Sequence, residues 1–198
     1  MYTPAHFAID DKEEISAFIR EHGFGQLLTA TAGRICSSYT PFHYDADAGK
    51  LLCHLARINP QLEACDGQEV LITLEGPHGY ISPNWYHKPG VPTWNYQAVH
   101  LYGVAKRFDD APRLAALVST LSDHYEAQQA NPWQPTYPDA MLNAIGGIEI
   151  TLTEVQAKYK LSQNRSVSDV ESVCSELESR GEHALAAAMR AQLAHRAS

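Results

Sequence analysis

The sequence predicts an α+β protein built on an antiparallel β-barrel. Three observations predict it. Short strands alternate with tight turns between residues 25 and 55. A single long strand spans 93–108 with apolar residues on both faces. Helical periodicity is confined to stretches outside the strand runs.

Each element follows in order. Residues 11–22 place Ile15, Phe18, Ile19 and His22 at helical spacing, with Asp10 or Asp11 to cap the start and Gly23 to stop it. Residues 25–31 and 34–42 read as two strands separated by Ala32-Gly33. An acidic turn over 44–50, containing Asp45, Asp47 and Gly49, leads into a strand over 51–55. Asn59-Pro60 opens a short helical or turn segment through Ala64. Residues 69–75 form a strand, and 80–82 another.

In the strand over 93–108, Trp94, Tyr96, Ala98, His100, Tyr102 and Val104 share one face. Thr93, Asn95, Gln97, Val99, Leu101 and Gly103 share the other. Asp110-Ala111-Pro112 caps a helix to about Gln128, with Leu114, Leu117, Val118, Leu121 and Tyr125 in one stripe. A loop rich in Pro and aromatic residues over 131–138 and a short helix over 139–145 lead through Gly146-Gly147 into a last strand, 148–161. The tail, 166–198, is helical in pattern. Ser168 caps it, Val170, Val173, Cys174 and Leu177 form a stripe, and Gly181 breaks it before 184–193. The expected organisation is a barrel domain over 1–165 with a helical appendage over 166–198.

Composition narrows the function classes. The chain has 198 residues, 44% hydrophobic and 19% charged, as in an ordinary globular protein that needs no disulfide staple. No apolar run reaches the ~20 residues of a membrane span, and no secretory leader is present, so the cytoplasm is the expected location. The four cysteines show no paired spacing and read as reduced, mostly buried thiols. The ten histidines include no HxH or HExxH, so no metal site is expected. A net charge of −8, with 15 dispersed basic residues, disfavours direct DNA binding while leaving room for a local basic patch.

No nucleophile elbow, Walker loop or GxGxxG is present, so no catalytic residue is assigned. Any redox chemistry must come from a cofactor. Three segments carry binding chemistry. Residues 76–96 hold two of the three tryptophans and three tyrosines in 21 positions, between Pro and Gly punctuators. Such aromatic faces beside hydroxyls and amides suit a flat, polar-edged ligand, or equally a core corner. At the end of the 51–55 strand, Arg57 and Asn59 offer a guanidinium, an amide and freed backbone N–H groups to an anion; a surface Arg beside a turn is the plainer reading. At the end of the last strand, Lys158, Lys160 and Ser162 alternate onto one face, followed by Gln163, Asn164 and Arg165.

Taken in order, several blocks resemble one family. They are Met1-Tyr2-Thr3-Pro4-Ala5-His6-Phe7, the acidic turn 44–49, and His54-Leu55-Ala56-Arg57-Ile58-Asn59-Pro60-Gln61. They continue with Gly76-Pro77-His78-Gly79-Tyr80-Ile81-Ser82-Pro83-Asn84-Trp85-Tyr86, Val91-Pro92-Thr93-Trp94-Asn95-Tyr96, Ala98-Val99-His100 and Lys158-Tyr159-Lys160-Leu161-Ser162-Gln163-Asn164. The chain is thereby similar to the PaiB family of FMN-binding negative transcriptional regulators, related to the protease synthase and sporulation protein. After Asn164 the match weakens.

That resemblance implies a split β-barrel of the pyridoxamine 5'-phosphate oxidase type, antiparallel and Greek-key-like, with peripheral helices and a helical C-terminal tail. It implies FMN as cofactor and a homodimer with the cofactor at the subunit interface. Arg57 and Asn59 are then expected at the phosphate. Lys158 or Lys160 with Ser162, Gln163 and Asn164 would form a second ring of polar contacts, and Tyr80, Ser82, Trp85 and Tyr86 the wall of the ring. If enzymatic, the protein is an FMN-dependent oxidoreductase. Two other readings stand beside it: a haem-binding or haem-degrading barrel using His6, His43, His54, His78 or His100, and a flavin-free repressor binding DNA or protein.

Overall fold

Alternating burial along the strands sets how this chain folds. The computed structural model describes residues 1–195, apart from the side chain of Asp139; the last three residues of the expected tail lie outside the described residues. Eight strands form one hydrogen-bonded sheet. They are β1 (Ala8–Ile9), β2 (Phe24–Thr31), β3 (Arg34–Pro41), β4 (His43–Asp45), β5 (Lys50–Ala56), β6 (Glu69–Ile81), β7 (Thr93–Phe108) and β8 (Ile145–Lys160). Among the described residues six helices accompany them: α1 (Lys12–Glu21), α2 (Pro60–Ala64), α3 (Ala111–Glu126), α4 (Asp139–Leu142), α5 (Val167–Ser179) and α6 (His183–His195).

The strand order is β3-β2-β6-β7-β8-β5-β4, with β1 added on β8. Pairs β1–β8, β2–β3, β2–β6, β4–β5 and β5–β8 are antiparallel. With the sequence-distant neighbours β2–β6 and β5–β8, this is the α+β, antiparallel architecture that the strand pattern predicts and that the family resemblance specifies as a split barrel.

The chain divides into two compact units, and β6, β7 and β8 each contribute to both. The second unit comprises 16–74 and 100–155. Two of its strands bury every other residue: Gly25, Leu27 and Thr29 on β2, and Leu51, Cys53 and Leu55 on β5. Asp110 caps α3 through the backbone N–H of Arg113 at 2.9 Å, and Leu114, Leu117, Val118 and Leu121 pack with Phe108 and Leu142. Gln61 is buried, and its amide donates to Leu27 O at 2.8 Å and Thr29 Oγ1 at 3.1 Å, tying α2 to β2.

The first unit comprises 1–15, 75–99 and the chain from 156 onward. The helix pair α5–α6 therefore packs in the same unit as the aromatic motif. Ser166, not Ser168, caps α5, accepting the N–H of Asp169 at 3.2 Å, because the helix begins at Val167 and Ser168 already lies inside it. Gly181, at φ 83°, ends α5 in a left-handed turn. There Gly181 N–H donates to Glu178 O at 3.0 Å and Glu182 N–H to Leu177 O at 2.9 Å.

Two strand expectations change. β6 is continuous through Gly76-Pro77, where the sequence reads a break; its buried positions shift from even to odd numbers between Gly76 and Ile81. Pro77 lacks an N–H, and a strand accommodates it where ladder regularity is lost. On β7 the two faces are unequal: Asn95, Val99, Leu101 and Ala105 are buried, whereas Trp94 and Val104 are exposed.

Candidate functional site

Two clefts in the first unit gather the binding chemistry. The first, of about 840 Å³, is walled by the end of β6, the 3₁₀ turn Pro83–Trp85 and Trp94 of β7. Ser82 caps that turn, accepting Asn84 N–H at 3.2 Å, which sets Trp85 on the rim. Tyr80 meets Trp94 edge to face at 6.4 Å and 73°, and His78 lies 6.5 Å from the same indole. Leu177, Arg180 and Glu182, around the α5–α6 turn, complete the lining. The Arg180 guanidinium lies 4.8 Å above the Trp85 ring.

The second cleft, about 170 Å³, is polar. Thr93, Asn95, Lys160, Ser162, Asn164 and Arg165 line it, against Phe7 and Tyr86. The Lys160 ammonium donates to Thr93 Oγ1 and to the Trp94 carbonyl. Burial, and then the neighbouring Lys158, hold its pKa below the usual lysine value. Arg165 stacks its guanidinium 4.3 Å over the Tyr86 ring. Asn95 is 1% exposed; its Nδ2 donates to Ser162 Oγ at 2.9 Å, while its Oδ1 is buried with no hydrogen-bond partner. An acceptor left so costs about 1–3 kcal/mol unless something donates to it.

The residues expected at the site separate into groups. Tyr80, Ser82 and Trp85 share the aromatic cleft. Tyr86, Lys160, Ser162 and Asn164 share the polar one. Lys158 is buried, donates to Tyr2 O at 2.9 Å, and sits 5.8 and 5.4 Å from the rings of Tyr2 and Tyr96. Gln163 closes a local turn, accepting Leu161 N–H at 2.7 Å and donating to Tyr159 O.

Arg57 and Asn59 belong to the second unit. Arg57 donates through Nε to Asn143 O at 2.7 Å, through Nη2 to Ile145 O at 2.7 Å, and through Nη1 to Asp109 at 2.6 Å. Asn59 caps α2 through Gln61 N–H at 2.9 Å, and its Nδ2 donates to Ser38 Oγ at 3.0 Å. In this structure both side chains hold the end of β5 to its surroundings.

Sequence reasoning left Thr93, Trp94 and Asn95 without roles, although strand parity already placed Thr93 and Asn95 opposite Trp94. It did not find Arg180 or Glu182, which no local motif marks. Of the histidines weighed as ligands, His78 Nδ1 lies 3.1 Å from Gly76 O, and burial lowers the pKa of His54. Among the described residues no group of three His, Cys, Asp or Glu side chains is gathered to hold a metal ion. Cys53, Cys65 and Cys174 are buried and Cys36 is exposed; burial pushes the Cys65 thiol up to about 11.

Residues 1–154 match the family model described as "Putative FMN-binding domain". Over 188 residues the chain is 38% identical to Protease synthase and sporulation protein PAI 2 of Bacillus subtilis (strain 168), covering 90% of this chain and 89% of that one. The fold is similar to that of the flavocytochrome Anf3 from Azotobacter vinelandii, with a TM-score of 0.63 at 16% identity over 77% of this chain and 69% of that chain. It is also similar to the FAD and heme binding protein from Mycobacterium smegmatis, with a TM-score of 0.63 at 14% identity over 83% and 78%. At these identities the two structures share the fold.

Proposed function

The chain belongs to the "Putative FMN-binding domain" family, and from that premise we propose that its first unit seats FMN and uses it in flavin-dependent redox chemistry. FMN is the cofactor. When bound, it supplies reversible transfer of one or two electrons. Everything else falls to the protein's own side chains.

The donor set of the polar cleft fits the cofactor's phosphate end. Lys160 and Arg165 supply cations, and Thr93 and Asn164 supply hydrogen-bonding groups. The observation that carries the reading is that these two cations and two hydrogen-bonding side chains line one cleft. Tyr86, on the wall of the same polar cleft, offers a flat face for the ring. Arg57 and Asn59 serve here as residues that hold β5 in place. The test is the visible spectrum of the freshly purified protein, followed by FMN titration of wild type, Lys160→Met and Arg165→Ala. Saturable binding weakened about 10-fold or more in both variants is expected. Absence of flavin as isolated, with no saturable binding on titration, would overturn it.

A homodimer belongs to the same proposal. Phe24 of β2 and Tyr39 of β3 stack at 6.0 Å with both rings exposed, and Ile35, exposed four residues from Tyr39, shares its face of β3, a strand at one end of the sheet order. Such an apolar patch is suited to a second copy. Light scattering should report twice the chain mass for wild type and the single chain for the Ile35→Asp/Tyr39→Asp double variant. Four free cysteines favour a reducing compartment, the cytoplasm. As for regulation, 15 basic against 23 acidic residues favours control through flavin state over direct DNA contact.

A further inference from the structure

Several contacts build the helix pair α5–α6 into the first unit. Asp169 Oδ1 accepts the backbone N–H of His87 at 2.7 Å. Arg180 stacks on Trp85 at 4.8 Å. A Cβ at Gly79 would lie 2.9 Å from Leu185 Cδ2, so α6 packs hard against β6. Asn95 Nδ2 approaches Met189 Sδ at 3.4 Å. The left-handed turn at Gly181 then places Leu177, Arg180 and Glu182 on the wall of the aromatic cleft. These residues lie beyond residue 154, where the family match ends.

From this geometry we infer that the aromatic cleft binds a second, planar molecule, an aromatic carboxylate or similar monoanion, and that Arg180 selects for its negative group. Trp85, Trp94 and Tyr80 give the flat apolar walls that such a ring needs. Arg180 supplies the charge. Its link to Glu176 is long, at 3.7 Å, and its planar fork, stacked on Trp85, has paired N–H donors to offer a carboxylate. Glu182 on the same wall repels a second negative charge and so favours a monoanion. At about 840 Å³ the cleft is in the upper part of the roughly 300–1,000 Å³ range of small-molecule sites, with room for a ring beside the cofactor. The inference rests on the flavin reading in one respect, that the FMN phosphate occupies the polar cleft.

The test uses 2-naphthoate as the anionic probe and 2-naphthalenemethanol as its neutral counterpart. Tryptophan fluorescence and calorimetry follow binding to the FMN-loaded full chain, with FMN affinity measured separately. Wild type should bind naphthoate saturably and prefer it to the alcohol. Arg180→Gln should weaken naphthoate about 10-fold and leave the alcohol and FMN unchanged. Arg180→Lys should fall between them, and Glu182→Gln should strengthen naphthoate severalfold. Equal naphthoate binding by wild type and Arg180→Gln, or none by either, would overturn the inference. So would displacement of FMN by naphthoate, or a matching loss of FMN affinity in Arg180→Gln, because the cleft would then be the flavin's own seat. If FMN fails to bind at all, the proposed function falls, while the naphthoate comparison on the ligand-free chain still decides this inference.

Discussion

Asn95 and Ser162, 67 residues apart, meet at 2.9 Å in the interior, and Ser162 holds its side of the bond from a left-handed backbone at φ 68°. A side chain pays about 1–2 kcal/mol to sit there, a cost that glycine escapes. Removing the hydroxyl leaves the Asn95 amide only the weak acceptor Met189 Sδ at 3.4 Å, a loss of about 1–3 kcal/mol. Both Ser162→Ala and Ser162→Gly should therefore lower stability, with the glycine variant the milder by about 1 kcal/mol. Denaturant midpoints measure the pair. Equal losses would mean that the backbone at 162 relaxes without cost.

Arg57 should behave as a tie within the second unit. Its three donors reach Asn143 O, Ile145 O and Asp109; burial, the largest single influence on the Asp109 carboxyl, raises its pKa, and the Arg57 and Arg107 guanidinium groups together outweigh it and keep the carboxyl below its ordinary value. The guanidinium is about one-third exposed, so solvent screening reduces the ion pair's share. Arg57→Ala should cost about 1–3 kcal/mol without ligand, a fall of roughly 2–12 °C in Tm for a chain of this size. FMN affinity should change less than about threefold, under 1 kcal/mol. A large FMN loss at unchanged Tm would return the phosphate to Arg57.

Lys160 gives the flavin site a pH signature. Burial and Lys158 lower its pKa in the ligand-free protein, and a phosphate beside it would restore the charged form. Binding then takes up protons, so FMN affinity is full below the lowered ligand-free pKa and falls as pH rises through it. The fall should stay within about tenfold per pH unit, the limit for one proton. Titrations between pH 7 and 10 measure it. Lys160→Met should bind weakly and lose the slope; a slope surviving in that variant would assign the proton elsewhere.

The parts of this protein governed by short-range periodicity were legible in the sequence. The stripe of Leu114, Leu117, Val118 and Leu121 packs as a helix of period 3.6 requires, and Asp110 caps it. The parity of β7 separated Thr93 and Asn95 from Trp94, and the two clefts use that separation. Long-range choices were not legible. Arg57 finds acceptors 52 to 88 residues away, which local spacing cannot reveal. Arg180 enters the aromatic cleft because an αL glycine turns the chain there, and nothing in the run around Gly181 links it to Trp85. The aromatic motif looked like one wall, yet Trp85 and Tyr86 serve different clefts, since adjacent residues leaving a 3₁₀ turn point apart.

Glycines at the start of β8 mark a packing limit. A Cβ at Gly147 would lie 2.2 Å from the Phe108 ring, and one at Gly146 would lie 2.4 Å from Leu62. Phe108 also carries the Arg113 guanidinium at 4.0 Å and sits in the α3 core, so it has little room to retreat. Gly147→Ala should destabilise by about 1–3 kcal/mol or more. Gly146→Ala should cost less, because the Leu62 side chain can change rotamer. Chemical denaturation of the two variants measures the difference. A neutral Gly147→Ala would show that α3 shifts freely over the sheet.

Asp169 makes the attachment of α5 sensitive to acid. It is buried at the start of α5, a site that raises a carboxyl pKa, but the N–H of His87, the Ser166 side chain and the N–H of Lys88 together outweigh burial and lower it. A carboxyl depressed in the folded state stabilises that state above its unfolded value of about 3.9, and the contribution disappears as pH falls below that value through the folded pKa. Asp169 holds His87 at 2.7 Å, so its protonation releases α5 from the segment that carries Trp85 and Tyr86. Hydrogen exchange by mass spectrometry, corrected for intrinsic rates, should show α5 and α6 amides losing protection between about pH 4 and 3, while β2 and β5 amides keep theirs. Asp169→Asn retains an uncharged acceptor, so its helix pair should be less protected at pH 7 and should not respond to acid. Should wild-type α5 stay equally protected from pH 6 to 3, Asp169 does not control the docking of the helix pair, and the packing of Leu185 and Met189 holds it alone.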